Sequence, residues 1–507
     1  MRYDYDIAVI GSGFAGSLMA MIAKRLGLSV VLLERGKHPR IVIGESSTPL
    51  ANLLLEQLAE RYDLPWLKPL TKWGSWQKTY PEVACGLKRG FSFFQHAVDG
   101  AEVLADGERH LLVAASPNDA IGDTHWWRAG FDELLMEQAR AMGVEYFDEV
   151  RVGVERADGG WRVALRGGAE REVRVKFVVD ATGPRGVLHR ALGLGELPLP
   201  GYPATSALYS HFSGVREFEG YRPVGAPYPV DAAAVHHVFE GGWMWVLRFN
   251  NGLTSAGVAA TEETARRFGL AEKECGWERL LRALPEVKAQ FAAARAERPF
   301  TYAERVAFRS GTVAGEGWAM LPSAAGFVDP MMSTGFPLTL LGVSRMGEIL
   351  KRDWGTARLE PGLAGYASQT DEELVATAGL IGALYRTMGD FATFRAVSLL
   401  YFAAASYAET VRRLGKPELA DSFLLCRHPV FGAEMRGIVE AAGVESGEAV
   451  RERVYRLIEG FDVAGLGKRP VDHCYPVLAA DLFAGAGKVG ATVEEIEGLL
   501  ERAGFYR

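Results

Sequence analysis

The chain has 507 residues, 48% of them hydrophobic, and its 56 basic and 63 acidic residues give a net charge of −7. This length and hydrophobic content predict two or three domains with large cores. The sequence contains no basic block, so nucleic acid is not expected as a partner. The four cysteines are scattered and the ten histidines lack metal-ligand spacing, so neither disulfides nor a bound metal is expected.

Two features bear on location. The first residues include Asp4 and Asp6 and lead directly into an apolar, strand-like run, which is not the pattern of a signal peptide. The longest apolar stretch, 396–408, is too short to cross a bilayer and predicts a buried helix. The sequence therefore predicts a reduced, cytoplasmic protein with no membrane partner.

The N-terminal segment DIAVIGSGFAGSLMAMIAKRLGLSVVLLERG predicts a strand, a glycine-rich loop, a helix and a second strand that ends at Glu34. Gly11 allows a tight turn, Gly13 lets the backbone approach a pyrophosphate, and Gly16 lets the helix pack closely on the strand. The helix N-terminus offers N–H donors to phosphate, and Glu34 can accept hydrogen bonds from ribose hydroxyls. The predicted nucleotide contacts in this unit are Gly11, Gly13, Phe14, Ala15, Gly16 and Glu34.

A second match to the same glycine spacing occurs near the C-terminus. This copy, GAGKVG at 485–490, has no β-branched strand before it and too little chain after it for a second strand. We interpret it as a loop that precedes a last helix, with Thr492 and Glu495 forming a capping box. Only the N-terminal copy therefore predicts a dinucleotide site.

Later segments favour FAD over NAD as the bound dinucleotide. The chain contains no second nucleotide fingerprint for NAD(P)H. The apolar run before Asp180 predicts a strand that ends in a turn at Gly183, and a second strand leads into a small-residue turn before Asp329. These two segments, with Arg128 at the start of a predicted helix, resemble the later motifs of FAD-dependent monooxygenase-type proteins.

The sequence GLKRGFSFF combines aromatic residues with one lysine, Lys88. If the run forms one strand, Lys88 has only small neighbours on its own face, Gly90 and Ser92, while Phe91 and Phe93 lie on the other. That arrangement leaves room for a ligand over the amine, or an open path for the amine to reach water. The run alone leaves both interpretations open.

Three segments together resemble one family. They are GESSTP at 44–49, K-x-G-x-x-F formed by Lys88, Gly90 and Phe93, and F-x-x-P-x-x-S-x-G formed by Phe327, Pro330, Ser333 and Gly335. The same three motifs occur in the flavin-dependent halogenases of the tryptophan halogenase-like family. The resemblance runs through roughly residues 5–350 and fades over the C-terminal third.

The resemblance implies a two-component halogenase. Such an enzyme takes reduced FAD from a separate NAD(P)H flavin reductase and uses dioxygen with chloride or bromide to form hypohalous acid. Lys88 would be catalytic, and the acceptor would be an electron-rich aromatic of phenol, indole or pyrrole type, free or tethered to a carrier. The implied halide and flavin loop consists of Pro330, Ser333, Thr334 and Gly335. The full set of cofactor contacts adds Ser47, Thr48, Arg128, Asp180, Gly183, Asp329 and Gly335 to the N-terminal unit.

Elementary chemistry is consistent with these roles. Ser333, Thr334 and Gly335 precede the predicted helix FPLTLLGVSRMGEIL, so their N–H groups would lie at a helix N-terminus, which suits a halide ion. The alternative is an ordinary N-cap with glycine in the turn. A lysine among aromatic side chains is desolvated, which lowers its pKa and favours the free amine.

The chain departs from the family pattern at several positions. The family often carries W-x-W-x-I-P, but here Leu247 and Arg248 follow Trp243 and Trp245. Met332 stands where tryptophan-type members have a glutamate, which argues against free tryptophan as the substrate. Ser323 replaces a flavin-binding aspartate of related flavoproteins. The substrate-side candidates are Phe93, Trp243, Trp245 and Met332.

Two alternatives stay open, the first of them because of the partial loss of that tryptophan motif. One is a flavin monooxygenase that hydroxylates its substrate with the same cofactor. The other is a flavin reductase of the isoprenoid-reducing type, which would need no oxygen.

The predicted fold class is α/β, with a Rossmann-like FAD-binding domain, an antiparallel-sheet substrate domain and a C-terminal helical region. The FAD-binding domain is expected to be discontinuous, from residues 1–64, 126–200 and 311–354. Residues 65–125 and 201–310 are expected to form the substrate-side sheet, and 355–507 a helical domain that either caps the substrate pocket or braces it.

Overall fold

The computed structural model describes residues 2–98, 106–220, 223–468 and 473–506. The strands are β1 Tyr5–Ile10, β2 Val30–Leu33, β3 Cys85–Lys88, β4 Gly90–Gln95, β5 His110–Ala114, β6 Asp123–Trp126, β7 Glu145–Phe147, β8 Val150–Ala157, β9 Gly160–Gly167, β10 Arg171–Asp180, β11 Thr205–Ser213, β12 Ala234–Phe239, β13 Gly242–Arg248, β14 Thr254–Thr261, β15 Arg295–Ala296, β16 Thr301–Ala303, β17 Phe308–Arg309, β18 Ala314–Gly315, β19 Trp318–Met320, β20 Gly326–Phe327 and β21 Cys474–Tyr475. The helices are α1 Phe14–Arg25, α2 Pro49–Arg61, α3 Trp73–Thr79, α4 Arg128–Ala141, α5 Val187–Ala191, α6 Glu262–Phe268, α7 Glu274–Ala283, α8 Pro285–Gln290, α9 Pro322–Ala325, α10 Gly335–Asp353, α11 Leu359–Thr387, α12 Phe391–Arg413, α13 Phe431–Ala441, α14 Gly447–Glu459, α15 Ala479–Gly485 and α16 Val493–Ala503.

The first sheet is the nucleotide-binding type that the N-terminal sequence predicts. Its strands lie in the order β18-β19-β10-β1-β2-β7, and β19, β10, β1, β2 and β7 run parallel. The carboxyl ends of parallel strands meet at one edge, which is where ligands bind in such sheets. Gly11, Glu34 and Asp180 follow or end three of these strands and therefore share this edge.

The second sheet is mostly antiparallel. Its strand order is β15-β11-β14-β13-β12-β4-β5-β21, with β16 paired to β11. Its strands come from the two segments predicted for the substrate side, 65–125 and 201–310, of which 99–105 and 221–222 lie outside the described residues, and from β21 near the C-terminus. Strand β21, Cys474–Tyr475, pairs in parallel with β5. The C-terminal third, predicted to be helical, therefore also contributes a strand to this sheet.

The strands β13 and β14 form a hairpin whose side chains alternate between two cores. The turn contains Gly252 at φ 80°, and Trp243, Trp245 and Leu247 point into the larger core while Met244 and Val246 point into a second, smaller core. Successive side chains of a strand point to opposite faces of the sheet, so Trp243 and Trp245 share one face and Met244 and Val246 the other.

The expectation of one strand through GLKRGFSFF is wrong. The run divides at Arg89: β3 pairs with β6 in a two-stranded ribbon, whereas β4 joins the second sheet between β5 and β12. The backbone N–H of Arg89 donates to Ala232 and its carbonyl accepts from Ala115, so its hydrogen bonds leave the β3–β6 ribbon. Lys88 therefore does not share a face with Gly90 and Ser92, and its amine lies over the ring of Phe91 instead.

The C-terminal helix α12 packs against β4 of the second sheet. In α12, Tyr401 and Phe402 contact Phe91, and Phe394 contacts Phe93, each in an edge-to-face arrangement. Among the described residues α12 is long and apolar enough to cross a membrane by length and composition, but 78% of its apolar window is buried inside the protein, as in a core helix. The apolar run at 396–408 therefore forms the buried helix that its length predicts.

The second glycine-rich match forms no nucleotide loop. Residues 486–489 form a short 3-10 helix after α15, and Thr492 and Glu495 make the predicted capping box at the start of α16. The α/β fold class with a C-terminal helical region is confirmed.

Candidate active site

The glycine-rich loop at the edge of the first sheet has no room for larger residues. Gly11 has φ 100°, and a Cβ there would lie 2.6 Å from the carbonyl oxygen of Ala181. A Cβ on Gly16 would lie 1.8 Å from the carbonyl oxygen of Gly11. Glycine is therefore required at both positions, by the turn at the first and by the close approach of helix and strand at the second.

The guanidinium groups of Arg40 and Arg128 lie beside Gly13, which is the residue just before the first N–H groups of α1. A Cβ on Gly13 would lie 3.4 Å from Arg40 Nη2 and 3.6 Å from Arg128 Nη2. Arg128 is held by two hydrogen bonds to Asp132 and by one to the carbonyl of Gly44. The buried Nε of Arg40 has no hydrogen-bond partner among the residues that the structure describes. Two cations and an unused N–H donor at a helix N-terminus fit the pyrophosphate of a dinucleotide.

Glu34 closes the same site at the end of β2. It accepts hydrogen bonds from the backbone N–H of Ser12 at 2.9 Å and of Gly36 at 2.8 Å, and pairs with Arg40 at 3.2 Å. Burial alone would raise the pKa of Glu34, but the Arg40 guanidinium and the backbone donors outweigh it and hold the pKa below its usual value. The group therefore stays an ionised acceptor, as binding of ribose hydroxyls requires.

Arg40 is expected to contribute to flavin affinity. Replacing Arg40 with glutamine should weaken FAD binding by about 10- to 100-fold, because a hydrogen bond to a charged group is lost. Fluorescence titration of the apoprotein with FAD measures this, and Arg35→Gln, at an exposed position on the same loop, is the matched control. Equal affinity of the two variants would remove Arg40 from the nucleotide site.

The carboxylates of two predicted cofactor residues, Asp180 and Asp329, accept hydrogen bonds from other groups of the protein. Asp180 accepts from the backbone N–H of Thr182 at 2.9 Å and of Leu188 at 2.7 Å, and so holds the turn at Gly183, which has φ 82°. These contacts make Asp180 a support for that loop.

Asp329 is the second of these carboxylates. It accepts from the hydroxyls of Tyr202 at 2.7 Å and Tyr385 at 3.0 Å, and from the backbone N–H of Met331 at 2.9 Å. Burial raises the pKa of Asp329 to about 6, although these donors oppose the shift. Its contacts tie together the segment that leads into β11, the helix α11 and the loop that leads to Ser333.

Lys88 lies at the centre of the molecule, where the three halogenase-like motifs meet. Its Nζ donates to Ser46 Oγ at 2.9 Å, to the carbonyl of Ser47 at 2.5 Å and to Ser333 Oγ at 3.4 Å. It also lies 3.8 Å from the centre of the Phe91 ring. The residue is 0% exposed. Motifs that are 42 and 245 residues from Lys88 along the chain therefore converge on one amine.

Burial sets the charge state of Lys88. Loss of solvent lowers the pKa of the amine, and the nearby carboxylate of Asp123 opposes this shift. The reverse holds for Asp123, whose pKa burial raises and Lys88 lowers. His125 and His236, also beside Lys88, are buried with pKa values lowered to about 3, so both rings are neutral at ordinary pH.

The loop before α10 has a strained backbone. Met332 has φ 60° and Ser333 has φ 54°, two consecutive residues in the left-handed region without glycine. Such conformations cost about 1–3 kcal/mol each and persist where surrounding structure enforces them. They direct the chain so that Ser333 reaches Lys88 and α10 begins at Gly335, whose first-turn N–H groups have no acceptor within the helix.

The other predicted residues lie in the same region. Thr48 caps α2, accepting from the N–H of Ala51 at 3.2 Å, while Phe14 packs edge-on against Trp126 and Phe336. The substrate-side candidates, each less than 5% exposed and part of the larger core around the site, are Phe93, Trp243, Trp245 and Met332. Ala15 lies in the first turn of α1, and Pro330 lies in the loop before α10.

The structure adds residues that the sequence analysis missed. Arg40 lies in the nucleotide site, Ser46 beside Lys88, and Asp123 opposite Lys88 across the ribbon. Ser46 belongs to the GESS motif and could have been selected with Ser47. Arg40 and Asp123 have no local pattern that separates them from surface charges, because their role depends on contacts between distant segments.

The family follows from comparison with known proteins. The tryptophan halogenase family model matches residues 124–390, more than half of the chain. The chain belongs to the tryptophan halogenase family. The predicted family and the predicted FAD cofactor are thereby confirmed.

Two relatives are each similar over most of this chain. The tetracycline 7-halogenase of Kitasatospora aureofaciens is 31% identical over 349 residues, which are 66% of this chain and 61% of that protein. The monodechloroaminopyrrolnitrin halogenase PrnC of Pseudomonas fluorescens is 26% identical over 406 residues, 78% of this chain and 70% of that protein. The chain thus spans less than two thirds of the first relative's length.

Solved structures share the fold. The crystal structure of halogenase PltM in complex with phloroglucinol and FAD is 23% identical, with a TM-score of 0.80 over 92% of this chain and 98% of that one. The flavin-dependent brominase Bmp2 is 20% identical, with a TM-score of 0.63 over 86% of this chain and 98% of that one. The fold is that of FAD-binding halogenases.

Proposed function

We propose that this protein is a FAD-dependent halogenase that halogenates an electron-rich aromatic through hypohalous acid, with Lys88 as its catalytic residue. One observation carries the proposal: a fully buried amine donates to the GESS loop and to Ser333, which precedes α10. A fully buried lysine is costly, so its position where three motifs meet favours a catalytic role.

The chain's own residues can perform the steps that follow flavin chemistry. Bound reduced FAD and dioxygen supply the oxidising equivalents that convert halide to hypohalous acid. The first N–H groups of α10 would hold the halide ion. Lys88, whose pKa is lowered by burial, would then orient hypohalous acid by a hydrogen bond from its ammonium or bind the halogen through its free amine.

The surroundings of Lys88 would keep hypohalous acid from escaping. Phe91 and Phe93 lie under α12, whose Phe394 and Phe402 cover them, and all four side chains are buried. A dry, aromatic wall excludes water and strengthens the polar contacts inside. The helical region would thus close the site as well as brace it.

The source of reducing equivalents would be a separate NAD(P)H flavin reductase, since the chain carries a single dinucleotide fingerprint with its full strand context. The acceptor would be a phenol, an indole or a pyrrole. Similarity to a tetracycline 7-halogenase and to a chlorinase of carrier-bound pyrrole-2-carbonyl supports an aromatic acceptor, free or tethered.

Mass spectrometry of turnover mixtures tests the proposal. The FAD-loaded protein is given a flavin reductase, NADH, air, chloride or bromide, and a panel of phenols, indoles and pyrroles. We expect products with the halogen isotope pattern. Products that gain one oxygen and no halogen would make this a hydroxylase, and reduction of a double bond without air would make it a reductase.

A further inference from the structure

Asp123 lies directly opposite Lys88 in the β3–β6 ribbon. The register pairs Lys88 with Asp123 and Gly86 with His125. Directly opposed residues of an antiparallel pair project to the same face, so Lys88, Asp123 and His125 share one face of the ribbon. The ribbon therefore places a carboxylate beside the lysine.

A ring of contacts holds Asp123 in place. Asn52 Nδ2 donates to Asp123 Oδ1 at 2.7 Å, and Ser47 Oγ donates to Asn52 Oδ1 at 3.2 Å. The carbonyl of Ser47 accepts from Lys88 Nζ. The position of the carboxylate relative to the amine is therefore determined by hydrogen bonds on both sides.

One oxygen of this carboxylate is unused. Asp123 Oδ2 is buried and has no hydrogen-bond partner among the described residues, and it makes no ion pair with Lys88. His125 Nδ1, on the same face of the ribbon, also lacks a partner there. Unpaired buried polar atoms are unfavourable and rare, and two beside a catalytic lysine indicate a polar ligand.

The electrostatics suit a proton acceptor. Burial raises the pKa of Asp123, an effect that Glu409 reinforces and that Lys88, Asn52 and Arg413 oppose. A carboxylate with a raised pKa is a stronger base than one in water.

We propose that Asp123 Oδ2 receives the hydroxyl group of a phenolic substrate and accepts its proton during halogenation. This proposal rests on the proposed function and narrows its substrate class. A phenol satisfies the unused oxygen with an O–H donor. Loss of that proton increases the electron density of the phenol ring. A pyrrole or indole N–H is far less acidic and does not give up its proton in this way.

The proton balance closes around the two residues. The ring carbon bonds to the halogen as the oxygen–halogen bond of hypohalous acid breaks, and the released hydroxide takes a proton from the Lys88 ammonium to form water. The phenol hydroxyl gives its proton to Asp123. The ring then loses its C–H proton to the Lys88 amine while Asp123 returns its proton to the oxygen. The net reaction converts one C–H bond and hypohalous acid into one C–halogen bond and water.

Replacing Asp123 with asparagine tests the assignment. In the FAD-loaded protein, we expect the affinity for a halogenated phenol, measured by isothermal titration calorimetry, to fall about 10- to 100-fold. Halogenation of the phenol should fall with it; formation of hypohalous acid, trapped as a taurine haloamine, is measured separately in the wild-type protein. Asp119→Asn, at a carboxylate that is 60% exposed and pairs with Arg89, is the matched control.

A second measurement does not depend on the variant's folding. The wild-type protein should bind the phenol at least about 10-fold more tightly than the methyl ether of the same phenol, which has no proton to donate. Equal binding of phenol and ether, or unchanged phenol binding in a folded Asp123→Asn variant, would overturn the assignment. If the wild-type protein forms no hypohalous acid yet binds the phenol through Asp123, the proposed function fails and the phenol site stands.

Discussion

Replacing Lys88 with alanine is expected to leave FAD bound and to lower halogenation by about 1,000-fold or more, because positioned acid–base groups contribute on that order. The variant also removes a buried amine whose desolvation is unfavourable, and it leaves the buried Asp123 without the favourable charge of Lys88. Halogenated product, quantified by mass spectrometry, and FAD content, read from the flavin absorbance, are the two measurements.

Two matched variants separate chemistry from packing. Lys88→Met keeps the length and apolar contacts of the side chain over Phe91, and we expect it to be as inactive as Lys88→Ala. Lys68→Ala removes a surface lysine that pairs with Glu60, and we expect it to be fully active. Halogenation retained in either Lys88 variant would end the catalytic role of this lysine.

Replacing Gly16 with alanine is expected to abolish FAD binding and to lower the free energy of unfolding by more than about 3 kcal/mol. The new Cβ would lie 1.8 Å from the carbonyl oxygen of Gly11 and 3.0 Å from the Cβ of Ala181. Overpacking of a rigid site costs about 1–3 kcal/mol, and contact with backbone on this scale exceeds that range. Urea denaturation and FAD titration measure the two effects.

Gly365→Ala is the matched control for this helix substitution. Gly365 lies in α11, is exposed, and has no atom within 4 Å of a built Cβ. Alanine is favoured over glycine inside a helix by about 1 kcal/mol, so this variant should be as stable as the wild type or more stable. A Gly16→Ala protein with unchanged FAD affinity would contradict the close approach of α1 and β1.

The nucleotide-binding unit was predictable because its signals are local. An apolar strand, three spaced glycines, a helix and a strand that ends at Glu34 occupy one continuous segment, and each part has a steric or hydrogen-bonding reason. The β13–β14 hairpin and the Thr492 capping box were predictable for the same reason, since turn and capping residues act within a few positions.

The surroundings of Lys88 were only partly predictable. The three motifs could be read from the sequence, but the division of GLKRGFSFF at Arg89 could not. Alternation of side chains is defined only while a strand continues, and here the chain leaves one ribbon and enters another sheet. The prediction therefore placed Lys88 with Gly90 and Ser92, whereas the fold places its amine over Phe91.

The amino-acid sequence by itself determined the class of cofactor and the family, and it singled out Lys88 as the candidate lysine, because these depend on residues at fixed, short spacing. Only the tertiary structure decided what surrounds that lysine. Ser46, Asp123 and Ser333 come from three segments far apart in the chain, and strand register and the strained loop before α10 bring them together. The pKa of Lys88 likewise depends on complete burial, a property of the folded chain and not of any local motif.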